Sequence, residues 1–368
     1  MLSFHITYKD KQSQARIGRL QINSQTFETP IFMPVGTKAS VKSLDSQEIT
    51  EVNGGIILAN TFHLWNSPGL ETLKRLKGVQ NFMDYAGPIL TDSGGYQVFS
   101  LAKNRVIKEE GVYFSNPENG DRLFLSPEIS MEIQRTIKSD IVMCLDECPD
   151  ANSDLEYLIP SINRTIRWAR RCKDSLNSPQ ALFGINQGGL DKDLRLYCLQ
   201  ELMKMDFDGY AIGGLSVGET KAQMYEITKF LSDYLPPEKP RYLMGVGGID
   251  DLIENVYNGI DMFDCVMPTR NARHGMFYTM EGKFNIKHSR YENDDSPLDT
   301  TFHHRYSHYK KSYLRHLFKN KELLVFRILT YHNLFFMKSF MEMIRTSIKE
   351  NKFLEFRENI KRNTNFYH

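Results

Sequence analysis

The sequence predicts an α/β fold: a (β/α)8 TIM barrel with an inserted antiparallel hairpin and a C-terminal helical subdomain. Three observations lead there. Eight short apolar or β-branched runs punctuate residues 29–269, most of them are followed by an amphipathic stretch, and this rhythm stops after about residue 280. Runs that short and that uniformly apolar suit strands buried on both faces of a parallel sheet. Eight strand–helix units in this length fit a closed barrel better than an open doubly wound sheet, which the pattern alone leaves open.

The elements follow in order. Residues 1–28 read as an N-terminal β cap. The eight runs are "TPIFMPVG" (29–36), "GIILANT" (55–61), "PILTDSGG" (88–95), "DIVMCLDE" (140–147), "ALFGINQGG" (181–189), "GYAIGGL" (209–215), "RYLMGVGG" (241–248) and "MFDCVMPT" (262–269). After the third, residues 105–127 alternate apolar and polar around "NPENG", as a hairpin inserted into the barrel of residues 29–280 does. Helical stretches lie between the runs. "SPEISMEIQRTIKS" (126–139) offers Ser126 as N-cap, Pro127 at the first helical position and Glu128 in the first turn, and "SDLEYLIPSINRTIRWARRCKDSL" (153–176) is a longer one. Residues 281–368 form the C-terminal subdomain, strongly helical over 311–350.

Composition sets the class. With 368 residues and 41% hydrophobic content the chain can bury a large core. No apolar run approaches the ~20 residues that a bilayer span needs. The start, "MLSFHITYKDKQSQAR", lacks the layout of a secretory signal, and five scattered cysteines suit reduced thiols better than a disulfide framework. A cytoplasmic location is expected. The net charge of +1 hides an asymmetry: residues 300–368 hold 14 Lys and Arg against 5 Asp and Glu, while the body before them holds 32 against 40. A basic end on an acidic body suggests a polyanionic partner, nucleic acid first, with a solvated basic helix face as the bland alternative.

In a parallel barrel the chemistry sits at the C-terminal strand ends. Those ends carry Asp92, Asp146, Gln187, Gly213–Gly214 and Asp264. Any single aspartate is better explained as a helix cap. Three carboxylates and an amide converging on one mouth suit glycosyl transfer: one carboxylate attacks the anomeric carbon, another moves a proton, and the rest read a heterocycle.

Six stretches identify a family: "LTDSGGYQVFSL" (90–101), "DIVMCLDEC" (140–148), "FGINQGG" (183–189), "DGYAIGGLSVGE" (208–219), "RYLMGVGG" (241–248) and "MFDCVMPTRNAR" (262–273). Together, and in this order, they resemble a bacterial tRNA-guanine transglycosylase from about residue 4 to about residue 357. That family exchanges the wobble guanine of GUN-anticodon tRNAs for a 7-deazaguanine base, on the route to queuosine. The resemblance implies that Asp264 is the nucleophile on ribose C1′ and Asp92 the general acid/base. It makes Asp146 the reader of the base's N–H edge and gives its carbonyl to Gln187 and the Gly214 backbone. Ser93, Gly94, Gly95, Cys148, Gly213 and Leu215 complete the pocket, with Tyr96 as aromatic lid and Met244 on the other face. tRNA contact is implied for Gly245, Val246, Gly247, Gly248, Ile249, Asp250 and Asp251, and for Thr269, Arg270, Asn271, Ala272 and Arg273.

Two departures bear on detail. The bacterial pattern reads Leu-Ala-Val-Gly-Glu where this chain has Leu215, Ser216, Val217, Gly218 and Glu219. Val217 and Cys148 keep the bacterial choice, which implies 7-aminomethyl-7-deazaguanine (preQ1) as incoming base, while Ser216 leans toward the queuine-using eukaryotic form. The second departure is larger. The family holds a structural zinc with Cys-x-Cys-x-x-Cys and a later histidine, in a subdomain that contributes to a homodimer. His332 matches that histidine, but Thr301, His303 and Tyr306 stand at the thiolate positions. An all-histidine site from His303, His304, His308 and His332 is one reading. The expected one is that the metal is lost, that Phe302, Tyr306 and Tyr309 fill the space, and that no cofactor is needed for the chemistry.

Overall fold

Eight parallel strands run around a barrel in the computed structural model, which describes residues 2–52, 54–101, 105–116, 119–150, 153–362 and 366. Three antiparallel strands come first: β1 (Leu2–Lys9), β2 (Arg16–Ile22) and β3 (Gln25–Thr29). The barrel strands are β4 (Ile31–Pro34), β5 (Ile57–Ala59) and β6 (Ile89–Thr91), then, after an insertion of β7 (Val106–Ile107), β8 (Val112–Ser115) and β9 (Arg122–Leu125), β10 (Ile141–Met143), β11 (Ala181–Asn186), β12 (Gly209–Ile212), β13 (Arg241–Leu243) and β14 (Met262–Cys265). Their spatial order is β4-β14-β13-β12-β11-β10-β6-β5, and one parallel bridge between Val35 and Leu58 closes β5 back onto β4. All eight apolar runs supply a barrel strand.

Alternation along these strands separates two cores. Ile31, Met33, Leu90, Ile141, Met143, Phe183, Tyr242 and Met262 fill the barrel, while Phe32, Ile89, Val142, Leu182, Leu243 and Phe263 pack outward beneath the helices. Phe4, Leu20 and Ile22 of the first sheet join the inner group, so that sheet closes one end of the barrel and the C-terminal strand ends stay open. The insertion forms a three-stranded antiparallel sheet with Val112 opposite Leu125 and Ser115 opposite Arg122. Pro117 and Glu118 of its turn lie outside the described residues. Ser126 caps the helix Pro127–Ile137 by accepting from the Ile129 N–H, and Asp154 caps Leu155–Ser175 in the same way.

After β14 come a short helix Met267–Arg273, a hairpin of β15 (Met276–Thr279) and β16 (Gly282–Asn285), and helices Lys311–Lys319, Leu323–Lys349 and Phe353–Arg362. The basic charge of this end has partners within the chain. Arg327 meets both oxygens of the buried Glu48 at 2.9 Å and Asp45 at 2.6 Å, and Arg305 meets Glu51 at 2.6 Å. Lys349 reaches Glu28 and Arg357 reaches Glu254. Much of the charge asymmetry therefore docks the tail onto the acidic body. Lys319 and Lys321 meet no acid among the described residues and are exposed.

Candidate active site

Strand alternation decides which side chains reach the barrel mouth. Met262 points inward and Phe263 outward, so Asp264 at the end of β14 points inward again. Tyr242, opposite Met262 on β13, shares that face and reaches up beside the carboxylate. Its hydroxyl donates to Asp264 Oδ1 at 2.6 Å, and the Gly245 N–H donates to the same oxygen at 2.7 Å. Oδ2 accepts no hydrogen bond among the described residues. One oxygen is thus tethered and the other is left for chemistry. Burial raises the Asp264 carboxyl above its ordinary value, the two hydrogen bonds oppose that, and the Asp92 charge adds to it.

Asp92 follows β6, where Thr91 pairs with Ala59 of β5. The register sets Asn60 and Thr61 beside it. The amides of Asn60 and Gln97 donate to Oδ2 at 2.5 and 2.9 Å, and the N–H groups of Thr61 and Gly94 donate to Oδ1 at 2.8 and 3.2 Å. Burial is the largest influence on Asp92 and raises its pKa despite these four donors. Such a group is held in one orientation and made easier to protonate than a surface aspartate.

The third carboxylate, Asp146, lies past β10. Gln187 Nε2 donates to its Oδ2 at 2.7 Å and Ser93 Oγ donates to Oδ1 at 3.4 Å. Burial pushes its carboxyl up to about 6, with a smaller contribution from Asp92. The other end of Gln187 explains the glycines. A Cβ on Gly213 would come within 2.7 Å of Gln187 Nε2, and one on Gly214 within 2.2 Å of its Oε1, which is buried with no partner among the described residues. Gly214 also holds φ +64°, open to glycine at no strain. Behind this turn the buried Arg195 donates to the carbonyls of Gly213, Asn186 and Gly189 and fixes the peptide planes.

The remaining expected pocket residues lie around this group. Gly95 has room for nothing larger without crowding the Asp146 carbonyl at 3.1 Å. Tyr96 stands 53% exposed at the rim, as free as a lid has to be. Leu215 is buried, Met244 is half-buried against the inner barrel core, and burial followed by the Asp146 charge pushes the half-buried Cys148 thiol up to about 12. Glu219 accepts from the N–H groups of Ser216 and Val217, which ties down a turn where Ser216 has φ +62°.

The residues expected to meet tRNA divide. Arg270 is exposed with no carboxylate partner among the described residues, and Arg273 lies one helical turn on, bonded to the Thr269 carbonyl at 3.0 Å. Thr269 and Ala272 are buried and Asn271 donates to the Tyr278 hydroxyl. Gly245 is exposed, whereas Val246 and Ile249 belong to the core. Gly247 lets its strand end approach Cys265, whose Cβ a side chain here would meet at 2.4 Å, and Gly248 caps the next helix. Asp250 and Asp251 are held by Lys221, with Tyr225 donating to Asp251 at 2.7 Å, so both carboxylates are engaged inside the protein.

Asn60, Thr61, Gln97 and Tyr242, the groups that hold the two central aspartates, are not among the residues the sequence motifs mark. Asn60 and Thr61 end the run "GIILANT", so the strand-end rule applied to all eight strands finds them. For Tyr242 the signal is inward alternation next to Asp264.

The chain is similar to known proteins over nearly its whole length. The queuine tRNA-ribosyltransferase family pattern matches residues 10–365. Proteins named queuine tRNA-ribosyltransferase from Halothermothrix orenii, Staphylococcus haemolyticus and Bacillus subtilis are similar to this chain. The first is 49% identical over 359 residues, 97% of this chain and 96% of the relative. The second is 51% identical over 351 residues, 95% and 93% of the two chains, and the third 49% over 351 residues, 95% and 92%.

Proposed function

Because the chain belongs to the queuine tRNA-ribosyltransferase family, a family of transferases, we propose that it exchanges the wobble guanine of GUN-anticodon tRNAs for a 7-deazaguanine base through a covalent aspartyl intermediate. The observation that carries this reading is the asymmetric tethering of Asp264. With Oδ1 fixed by Tyr242 and Gly245, Oδ2 attacks ribose C1′. The C1′–N9 bond breaks, its electron pair goes to the guanine, and protonated Asp92 supplies the proton the leaving base needs. The incoming base returns that proton to Asp92 from its own N9–H, its N9 attacks C1′, and the Asp264 carboxylate leaves. Two inversions give net retention.

Asp146, whose carboxyl titrates near 6, is ionised at neutral pH and accepts from the base's ring and amino N–H groups. Gln187 and the Gly214 N–H donate to its carbonyl. A base lacking that donor–acceptor pattern leaves buried groups unpaired, which is the strongest form of discrimination a pocket has. The favoured incoming base is preQ1, because Val217 and Cys148 keep the bacterial choice and a Val side chain fills space that the ring of queuine would need. Arg270 and Arg273 at the mouth bind the anticodon loop, and Lys319 and Lys321 add charge farther out. A cytoplasmic location fits action on tRNA, and a homodimer is the expected assembly, to be read by light scattering.

The test is direct. tRNA carrying labelled wobble guanine is incubated with the protein and with preQ1 or queuine in turn. Label release driven by preQ1 supports the reading, preference for queuine reassigns the base, and tRNA binding without release under any base makes the chain a non-catalytic binder.

A further inference from the structure

The family's zinc meets a donor set here that does not fit it. Thr301 and His303, at two thiolate positions, are exposed, and at the third the Tyr306 hydroxyl donates to Glu48 at 2.6 Å. His308 is exposed and stacked on Tyr309. Among the described residues no three His, Cys, Asp or Glu side chains are grouped to hold a metal ion.

What surrounds His332 is a closed chain of hydrogen bonds. Its Nε2 lies 2.6 Å from the Tyr278 carbonyl oxygen, which only accepts, so Nε2 carries the proton and Nδ1 is an acceptor. His304 Nε2 lies 2.9 Å from that Nδ1 and must donate. His304 Nδ1 then accepts from the Tyr306 N–H at 3.2 Å. Every ring nitrogen has one partner of the right kind. The proton on His304 Nε2 points at the lone pair through which His332 would ligate a metal. Phe335 and Tyr331 pack on the His304 ring at centroid distances of 5.0 and 5.3 Å. Asn333 extends the grip: it accepts from the Tyr278 N–H at 3.1 Å and donates to the carbonyls of Met276 and Pro268 at 3.0 Å. Pro268 lies on the same short helix as Arg270.

We propose that a metal-free His304–His332 hydrogen-bonded pair replaces the family's zinc as the pin joining residues 301–309, the long helix Leu323–Lys349 and the hairpin that follows β14. His304 matches none of the family's ligand positions, so the pin has been rebuilt around a different residue. A fold pinned this way does not depend on zinc supply.

Three measurements on the full chain test it. Protein made in zinc-replete medium should hold well under one zinc per chain, and a chelator should leave its melting temperature unchanged. Nitrogen-15 NMR of the histidines should show both rings as Nε2–H tautomers, with no change on adding one equivalent of zinc. His304→Gln, whose amide nitrogen falls near the imidazole Nε2, should melt close to the unaltered protein. His304→Phe keeps the aromatic packing but leaves His332 Nδ1 buried without a donor, and should melt roughly 1–4 °C lower. Stoichiometric zinc, a chelator-induced loss of folding, an Nδ1–H tautomer for either ring, or equal melting of the two variants would each overturn the proposal. Should either variant fail to fold, the tautomers of the unaltered chain decide.

Discussion

Replacing Asp146 by asparagine should make the protein more stable and far less active, with a pH dependence set by burial. Its carboxyl titrates near 6 in the folded protein against 3.8 ordinarily. The native state therefore holds a proton that the unfolded chain has already lost, and stability falls as pH rises from about 4 through 6. At about 1.36 kcal/mol per pH unit the ionised carboxylate costs about 3 kcal/mol above pH 7. The amide that Asp146→Asn introduces is uncharged at every pH and still accepts from Gln187. An unfolding entropy of about 2.1 cal/mol/K per residue over 368 residues converts 3 kcal/mol to a rise of about 4 °C. Melting both proteins between pH 4 and 8 provides the assay. The difference should be near zero at pH 4, grow through pH 6 and level off above 7. Exchange of guanine should drop at least ~100-fold in kcat/KM, because the amide replaces one of the two accepting oxygens with an NH2 donor that faces a base N–H. A variant that melts at or below the parent at pH 7.5 would refute the claim that Asp146 is a buried, strained carboxylate kept for binding.

Three further outcomes are expected. Tyr242→Phe removes a hydrogen bond that lowers the Asp264 pKa, so the acid limb of kcat/KM against pH should move to higher pH; an unmoved limb would dismiss Tyr242 as the positioning group. Val217→Gly should raise activity with queuine relative to preQ1, read by label release with each base, and an unchanged ratio would remove Val217 from base selection. Arg270→Ala should weaken tRNA binding and flatten the slope of log Kd against log salt by about 0.7–0.9, the signature of one lost phosphate contact; a full-strength slope would place Arg270 off the RNA.

The barrel was legible because each strand announces itself as a short apolar run, and a strand buried on both faces leaves little else to read. Asp92, Asp146 and Asp264 were legible because strand ends in such a barrel face one mouth. Their supports were not. Asn60 and Gln97 meet Asp92 through the β5–β6 register and the turn of the next helix, and register is a property of the paired strands, not of either run. The histidine stretch shows a different limit. His303 and His304 are adjacent and chemically identical, so the sequence could not say which ring turns inward; packing against Tyr331 and Phe335 chose His304. Likewise the basic tail announced a need for anions, and many of those anions are Glu28, Glu48, Glu51 and Glu254 of the same chain.

The most direct test of the proposed chemistry is to locate the covalent bond. The protein is quenched in denaturant during turnover with tRNA, nuclease trims the RNA, and the modified peptide is sequenced by mass spectrometry. A ribosyl ester on Asp264 is expected, absent from the Asp264→Asn variant although that variant still binds tRNA. An ester on Asp92, or full label exchange by Asp264→Asn with no adduct at all, would contradict it.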